Sequence, residues 1–207
     1  MSRPLRILTV SGALLLAGLI GLNLFSKWLL SRPKPLPFLG EVGDFAVTNQ
    51  AGVRLDKSAL LGRPWVADLI FTRCPGPCRQ LTAALAGIQA KLPAGSPVRL
   101  VSVTSDPEFD TPLVLGRYAS KFGADTNRWQ FVTGSRESIR NLATTQLKLV
   151  LAEKPEAERQ GPDDLFLHST LAVVVDGKGR LRAVVELLEA GGVETVLEAL
   201  RALEREE

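Results

Sequence analysis

Hydrophobic positions along the 207-residue chain fall into runs whose period changes from element to element. The first run, residues 7–25, carries no charge. At ~1.5 Å per residue a helix of that length comes close to the ~30 Å apolar core of a bilayer. Arg3 and Arg6 precede it, and Lys27 and Trp28 follow as an interfacial boundary. The run exceeds the roughly 7–15 apolar residues of a cleavable leader, so it predicts an uncleaved single-pass transmembrane anchor within residues 1–30. Lys27, Arg32 and Lys34 offset Arg3 and Arg6, so charge counting leaves the orientation open. Residues 31–39 hold prolines at 33, 35 and 37 and predict a stiff, extended linker.

Residues 40–207 predict one domain. Segments 45–47 and 53–55 read as a small hairpin about Asn49-Gln50-Ala51-Gly52, and 57–61 as a helical turn ended by Gly62-Arg63-Pro64. Residues 65–71 are almost continuously apolar, the pattern of a strand buried on both faces of a parallel sheet. Leu81, Leu85, Ile88 and Leu92 recur at helical spacing and predict a helix over 80–92. Residues 98–105 alternate as the next strand, and the turn-rich segment 106–112 feeds a helix over 113–122. Asp106 and Asp110 read there as turn chemistry, with Thr111 as helix cap and Pro112 at the first helical position. A short strand at 129–132 precedes a helix over 136–146 capped by Ser135. Residues 147–151 are mostly apolar, and 152–164 form a polar, solvated excursion. Strands 171–175 and 181–185 flank Asp176-Gly177-Lys178-Gly179 as a hairpin. A last helix over 193–204 places Val193, Val196, Leu197, Leu200 and Leu203 on one face. That order predicts an α/β fold, a mixed central sheet flanked by helices.

An apolar fraction of 45% and a charged fraction of 23% are those of an ordinary globular chain. The net charge of +3 comes from scattered Lys and Arg, with no basic block interleaved with aromatics, so nucleic-acid binding has no support.

The candidate chemistry sits at the end of the apolar strand. Phe71-Thr72-Arg73-Cys74-Pro75-Gly76-Pro77-Cys78-Arg79 holds the only two cysteines, just ahead of the predicted helix. Both thiols then lie near a helix N-terminus, where unpaired N–H groups and the macrodipole favour thiolate. Arg73 and Arg79 are expected to lower the thiol pKa values further. A pair on so short a loop can close a disulfide or grip one soft metal ion. As a mere staple it would do little, because so short a ring removes little chain entropy. A cysteine pair at the first strand-to-helix turn of such a sheet places the domain in the thioredoxin-like class. His168, the only histidine, stands just before the strand 171–175, which in that class faces the cysteine loop. Two thiolates and an imidazole suit Cu(I), Cu(II) or Zn(II), the last two with a further ligand.

Three spaced motifs then resemble the Sco/SenC family of membrane-anchored, thioredoxin-like copper proteins. They are Phe71-Thr72-x-Cys74-Pro75-x-x-Cys78, then Ser105-Asp106-Pro107-Glu108-x-Asp110-Thr111-Pro112, then His168-Ser169 followed by a strand and Asp176-Gly177-x-Gly179. The resemblance implies a copper chaperone for the dinuclear copper centre of cytochrome c oxidase, docking on that enzyme's copper-bearing subunit. It implies copper ion ligation by Cys74, Cys78 and His168, and a soluble domain on the periplasmic side of the inner membrane. Around the motif, Arg73 replaces the family's usual histidine, Gly76-Pro77 an acidic-aliphatic pair, Arg79 a proline, and Leu167 an aspartate. The competing reading is a thiol–disulfide oxidoreductase or redox sensor in which Cys74 attacks and Cys78 resolves. A thioredoxin-like reductant is a partner in either case, because the cysteines must be reduced before they load metal. Dedicated reductants usually carry CxxC and a proline where His168-Ser169-Thr170 stands.

Overall fold

A computed structural model describes residues 20–23, 25–27, 35–159, 161, 165–166 and 169–206. The chain divides into two compact units, residues 1–35 and 36–207. In the first, the described residues 20–23 and 25–27 are helical and exposed. The rest of the predicted anchor lies outside the described residues, and among those described no helix is long and apolar enough to cross a membrane.

The second unit is built on an eight-stranded mixed sheet. In chain order its elements are β1 (Gly40–Glu41), β2 (Ala46–Asn49), β3 (Arg54–Asp56), β4 (Trp65–Ile70), α1 (Pro77–Lys91), β5 (Arg99–Thr104), α2 (Pro112–Lys121), β6 (Trp129–Thr133), α3 (Arg136–Arg140), β7 (Leu171–Val175), β8 (Arg180–Glu186) and α4 (Gly192–Glu204). The sheet order is β1-β8-β7-β4-β5-β6-β2-β3. β4, β5 and β6 run parallel, while β7 lies antiparallel beside β4 and pairs with β8. The α/β, thioredoxin-like arrangement expected from the sequence is the one formed.

β4 is buried along its whole length, as its apolar run requires. Its alternate residues serve two cores. Val66 and Ile70 join Leu81, Leu85 and Ile88 of α1, Leu115 and Tyr118 of α2, and Leu197 and Leu200 of α4. Trp65, Ala67 and Leu69 pack on the opposite face with Ile139 and Leu142 from α3 and its continuation. Asp68 falls between Val66 and Ile70 in this alternation and therefore shares the face covered by α1.

Three departures from the sequence reading have local causes. α1 starts at Pro77, three residues earlier than predicted, because proline is favoured at a first helical position where no N–H bond is needed. The helix predicted over 136–146 is α-helical only to Arg140 and continues as a π-helical turn, Asn141–Gln146. The excursion at 152–164 is not all loop, since Glu156–Glu158 is a 3-10 turn and Glu153 bridges Phe166. The caps are as expected: Thr111 Oγ1 accepts from Val114 N, and Ser135 Oγ from Ser138 N.

Candidate metal centre

β4 delivers the chain to Phe71, and a turn carries it to Gly76, where α1 begins. Cys74 N donates to Phe71 O at 3.2 Å, folding the turn back over the strand end. Cys78 is the second residue of α1. Neither cysteine is in a disulfide, and both are buried at the base of this turn, 2% and 4% exposed. The thiols hydrogen-bond to one another. The carbonyl of Cys78 is fixed in turn by Thr82 Oγ1 at 2.8 Å and Tyr118 Oη at 3.5 Å, whose hydroxyls lie 3.0 Å apart.

This geometry corrects the expected acidity of Cys78. The Cys78 thiol is pushed up, first by its hydrogen bond with Cys74, then by burial, and further by the Asp68 charge. The arginines do not offset this. Arg73 turns away to Asp106, with Nη2 at 2.6 Å and Nε at 3.2 Å from Oδ2, and stacks 4.3 Å over the Phe109 ring. Arg79 is exposed at the surface. For Cys78, proximity to a helix N-terminus is outweighed by desolvation and a neighbouring thiol.

Two buried carboxylates without a predicted site role lie close to this loop, and one of them, Asp110, ties it in place. Asp110 is fully buried and accepts from Thr72 N at 3.1 Å, from Thr72 Oγ1, and from Thr104 Oγ1 at 2.5 Å. It thereby ties the residue after β4 to the end of β5. Burial raises its pKa despite the three bonds that favour its charge. Asp68, directly across from Ser102 of β5, is also fully buried, yet neither carboxylate oxygen receives a well-formed hydrogen bond. Burial raises the Asp68 pKa to about 7, outweighing the Ser102 hydroxyl, which favours the charge and whose oxygen accepts from Trp129 Nε1 at 3.0 Å. The signal in the sequence was the one charged residue inside an otherwise apolar strand.

His168 lies outside the described residues. Its flanks do not: Phe166 packs edge-on against Phe71 with centroids 5.2 Å apart, and Ala172 sits opposite Asp68. The structure thus brings Cys74 and Cys78 together and runs the segments on either side of His168 beside the strand that leads to them. Among the described residues no further His, Cys, Asp or Glu completes a three-ligand group with the thiols. Two thiol sulfurs in mutual contact, screened from water, make a donor pair suited to a soft ion and unsuited to Mg²⁺ or Ca²⁺.

Comparison with known proteins agrees with this geometry. Residues 38–204 match the SCO1/SenC family, a span that includes Cys74, Cys78 and His168. The chain is 34% identical over 169 residues to a SCO1 protein homolog of Bacillus subtilis, covering 81% of this chain and 83% of that one. Among solved structures, BsSco superposes with a TM-score of 0.71 at 28% identity, over 84% of this chain and all of its own. BsSco is described as carrying a disulfide switch and as a member of the Sco family of cytochrome c oxidase assembly proteins. Bradyrhizobium japonicum ScoI, solved with copper bound, shares the fold with a TM-score of 0.64 at 23% identity, over 80% of this chain and 98% of its own.

Proposed function

The chain belongs to the SCO1/SenC family, and from that premise we propose that it is a copper chaperone acting in cytochrome c oxidase assembly. Its cargo is one copper ion held by Cys74, Cys78 and His168 and delivered to the oxidase's dinuclear copper centre, on the copper-bearing subunit. The observation that carries this reading is the buried, reduced, mutually hydrogen-bonded pair Cys74–Cys78 at the β4–α1 turn. Loading a cuprous ion displaces the thiol protons and replaces the sulfur–sulfur hydrogen bond by two metal–sulfur bonds. The bonds from Thr82 and Tyr118 to the Cys78 carbonyl, and the clasp of Asp110 on Thr72, hold the loop while that exchange takes place. Solved relatives support the reading, since ScoI is known with copper bound.

The test is a titration of the reduced full-length protein with Cu(I), with His168→Ala and Cys78→Ser alongside. One copper per chain is expected for wild type, weaker retention for His168→Ala and no tight site for Cys78→Ser. Equal retention in all three proteins would remove the site.

A second reading follows from the same thiol contact: the pair is placed to close a disulfide, making thiol–disulfide exchange the alternative function, with a thioredoxin-like reductant as partner. A relative with a disulfide switch favours it. The outcome that separates the two is a protein that takes no copper yet equilibrates readily with a dithiol.

We also infer that residues 1–30 anchor the protein as a single uncleaved span, with residues 31–39 as linker and the domain on the periplasmic side of the inner membrane. The uncharged run at 7–25 supports this. Wild type is expected to resist carbonate extraction of membranes with residues 7–25 still present by mass, and deletion of residues 1–30 to release the domain. An intact protein found in the soluble fraction would refute the anchor.

A further inference from the structure

Beside the cysteine loop the surface dips into two adjoining clefts of about 330 and 350 Å³ that share Thr72, Arg73, Tyr118 and Lys121. One reaches Cys74 and Arg79, and the other reaches Phe109 and Arg117. Four cations therefore surround the approach to Cys74, and no carboxylate among the described residues lines either cleft. Arg73 is neutralised by Asp106. Arg79, Arg117 and Lys121 are exposed and form no ion pair among the described residues. Three unpaired cations thus line the clefts beside the cysteine pair.

The same rim carries exposed apolar area. Phe109 is 44% exposed beneath the Arg73 guanidinium, and Leu113, on the first turn of α2, is 64% exposed. Arginine and aromatic side chains around an apolar centre are the composition of a protein-docking surface. Only Cys74 of the two cysteines lines a cleft, so a partner seated here would meet that sulfur first.

We propose that this cationic cleft is the docking groove for an acidic segment of the protein that exchanges metal or electrons with Cys74 and Cys78. The inference rests on the reading above, that the pair trades its cargo with a partner. Carboxylates laid along the groove would neutralise Arg79, Arg117 and Lys121 while the segment covered Phe109 and Leu113. Opposite charge speeds encounter and fixes register, and like charge turns other surfaces away.

The test uses the reduced, metal-free full-length protein, a short glutamate-rich peptide without thiols, and its glutamine counterpart, with binding read by fluorescence anisotropy. The glutamate peptide is expected to bind at least about tenfold more tightly than the glutamine one, and to weaken as salt is raised. The triple variant Arg79→Glu, Arg117→Glu, Lys121→Glu should lose at least about tenfold in affinity. A charge-matched variant away from the cleft, Lys57→Glu, Lys178→Glu, Arg201→Glu, should keep wild-type affinity. Equal binding of the two peptides, or equal loss in the two triple variants, would overturn the proposal. Neither thiol chemistry nor copper enters this readout, so its failure is distinct from a failure of the copper titration.

Discussion

Asp68→Asn is expected to make the reduced, metal-free protein more stable at pH 8, by about 2 kcal/mol, and to flatten its stability between pH 4 and 7. Asp68 is wholly buried with neither oxygen well bonded, and its pKa stands at about 7 against an ordinary 3.8. Below pH 4 the carboxyl is protonated in folded and unfolded chains alike, and its burial carries no ionic penalty. As pH rises from 4 to 7 the unfolded chain gives up this proton while the folded one keeps it. Stability therefore falls across that window and levels off above it. At ~1.4 kcal/mol per pH unit the full loss is about 4 kcal/mol. Asparagine recovers only part of this, because its buried amide is no better partnered than the acid. Asp110 is shifted in the same direction, so the wild-type slope is not due to Asp68 alone, and the difference between wild type and variant isolates it. Urea denaturation at a series of pH values measures that difference. Parallel stability profiles for the two proteins would show that Asp68 is not held protonated in the fold.

A carboxyl that destabilises its own sheet lies on the face that also packs Cys74 and Cys78, and its charge opposes ionisation of Cys78. The thiol–thiol bond, burial and this charge together favour a neutral Cys78 thiol until something replaces its proton. A soft metal ion does so by forming two bonds to sulfur, and a disulfide does so by oxidation. Each proposed role begins from that same resting state. The cationic surface outside contributes by attracting a partner, and Arg73, which adjoins Cys74 in sequence, is already committed to Asp106.

What the sequence disclosed, and what it withheld, divides by range. β4 was legible because a strand buried on both faces must be apolar throughout, and the helix stripes because they repeat within a few residues. The caps of α2 and α3 were legible because Thr111 and Ser135 act over three residues. β1 went unseen: two residues, Gly40–Glu41, have no pattern of their own and form a strand only by pairing with β8 some 140 residues away, Gly40 opposite Leu181. The acidity of Cys78 was misjudged for the same reason. Arg73 adjoins Cys74 in sequence, but its guanidinium is claimed by Asp106 from a different loop. The acidic motif itself was readable, and Thr111 does cap α2. That Asp110 reaches back 38 residues to Thr72 could not be read from spacing. His168 and most of the predicted anchor lie outside the described residues, so they enter only as proposals.

Asp110→Ala is expected to cost about 3 kcal/mol of stability and to loosen the cysteine loop before the domain unfolds. The carboxylate accepts three hydrogen bonds, and its loss leaves the buried Thr104 O–H without an acceptor, although its oxygen still accepts from Asp106 N. The Thr72 groups, half-exposed, can turn to solvent, so the loss is smaller than three buried bonds would give. The second consequence falls on the site. With Thr72 untied from the end of β5, the turn loses its buried clasp and keeps the Arg73–Asp106 pair at its half-exposed edge. Cys74, now 2% exposed, should react faster with a bulky disulfide reagent than global unfolding allows. The measurement is the rate of thiol labelling at increasing urea, compared with the unfolding curve of the same variant. A variant destabilised as expected but labelled only through global unfolding would make Asp110 a fold residue with no hold on the loop. Labelling that runs ahead of unfolding would identify it as the clasp that keeps the pair closed until a metal ion or partner arrives.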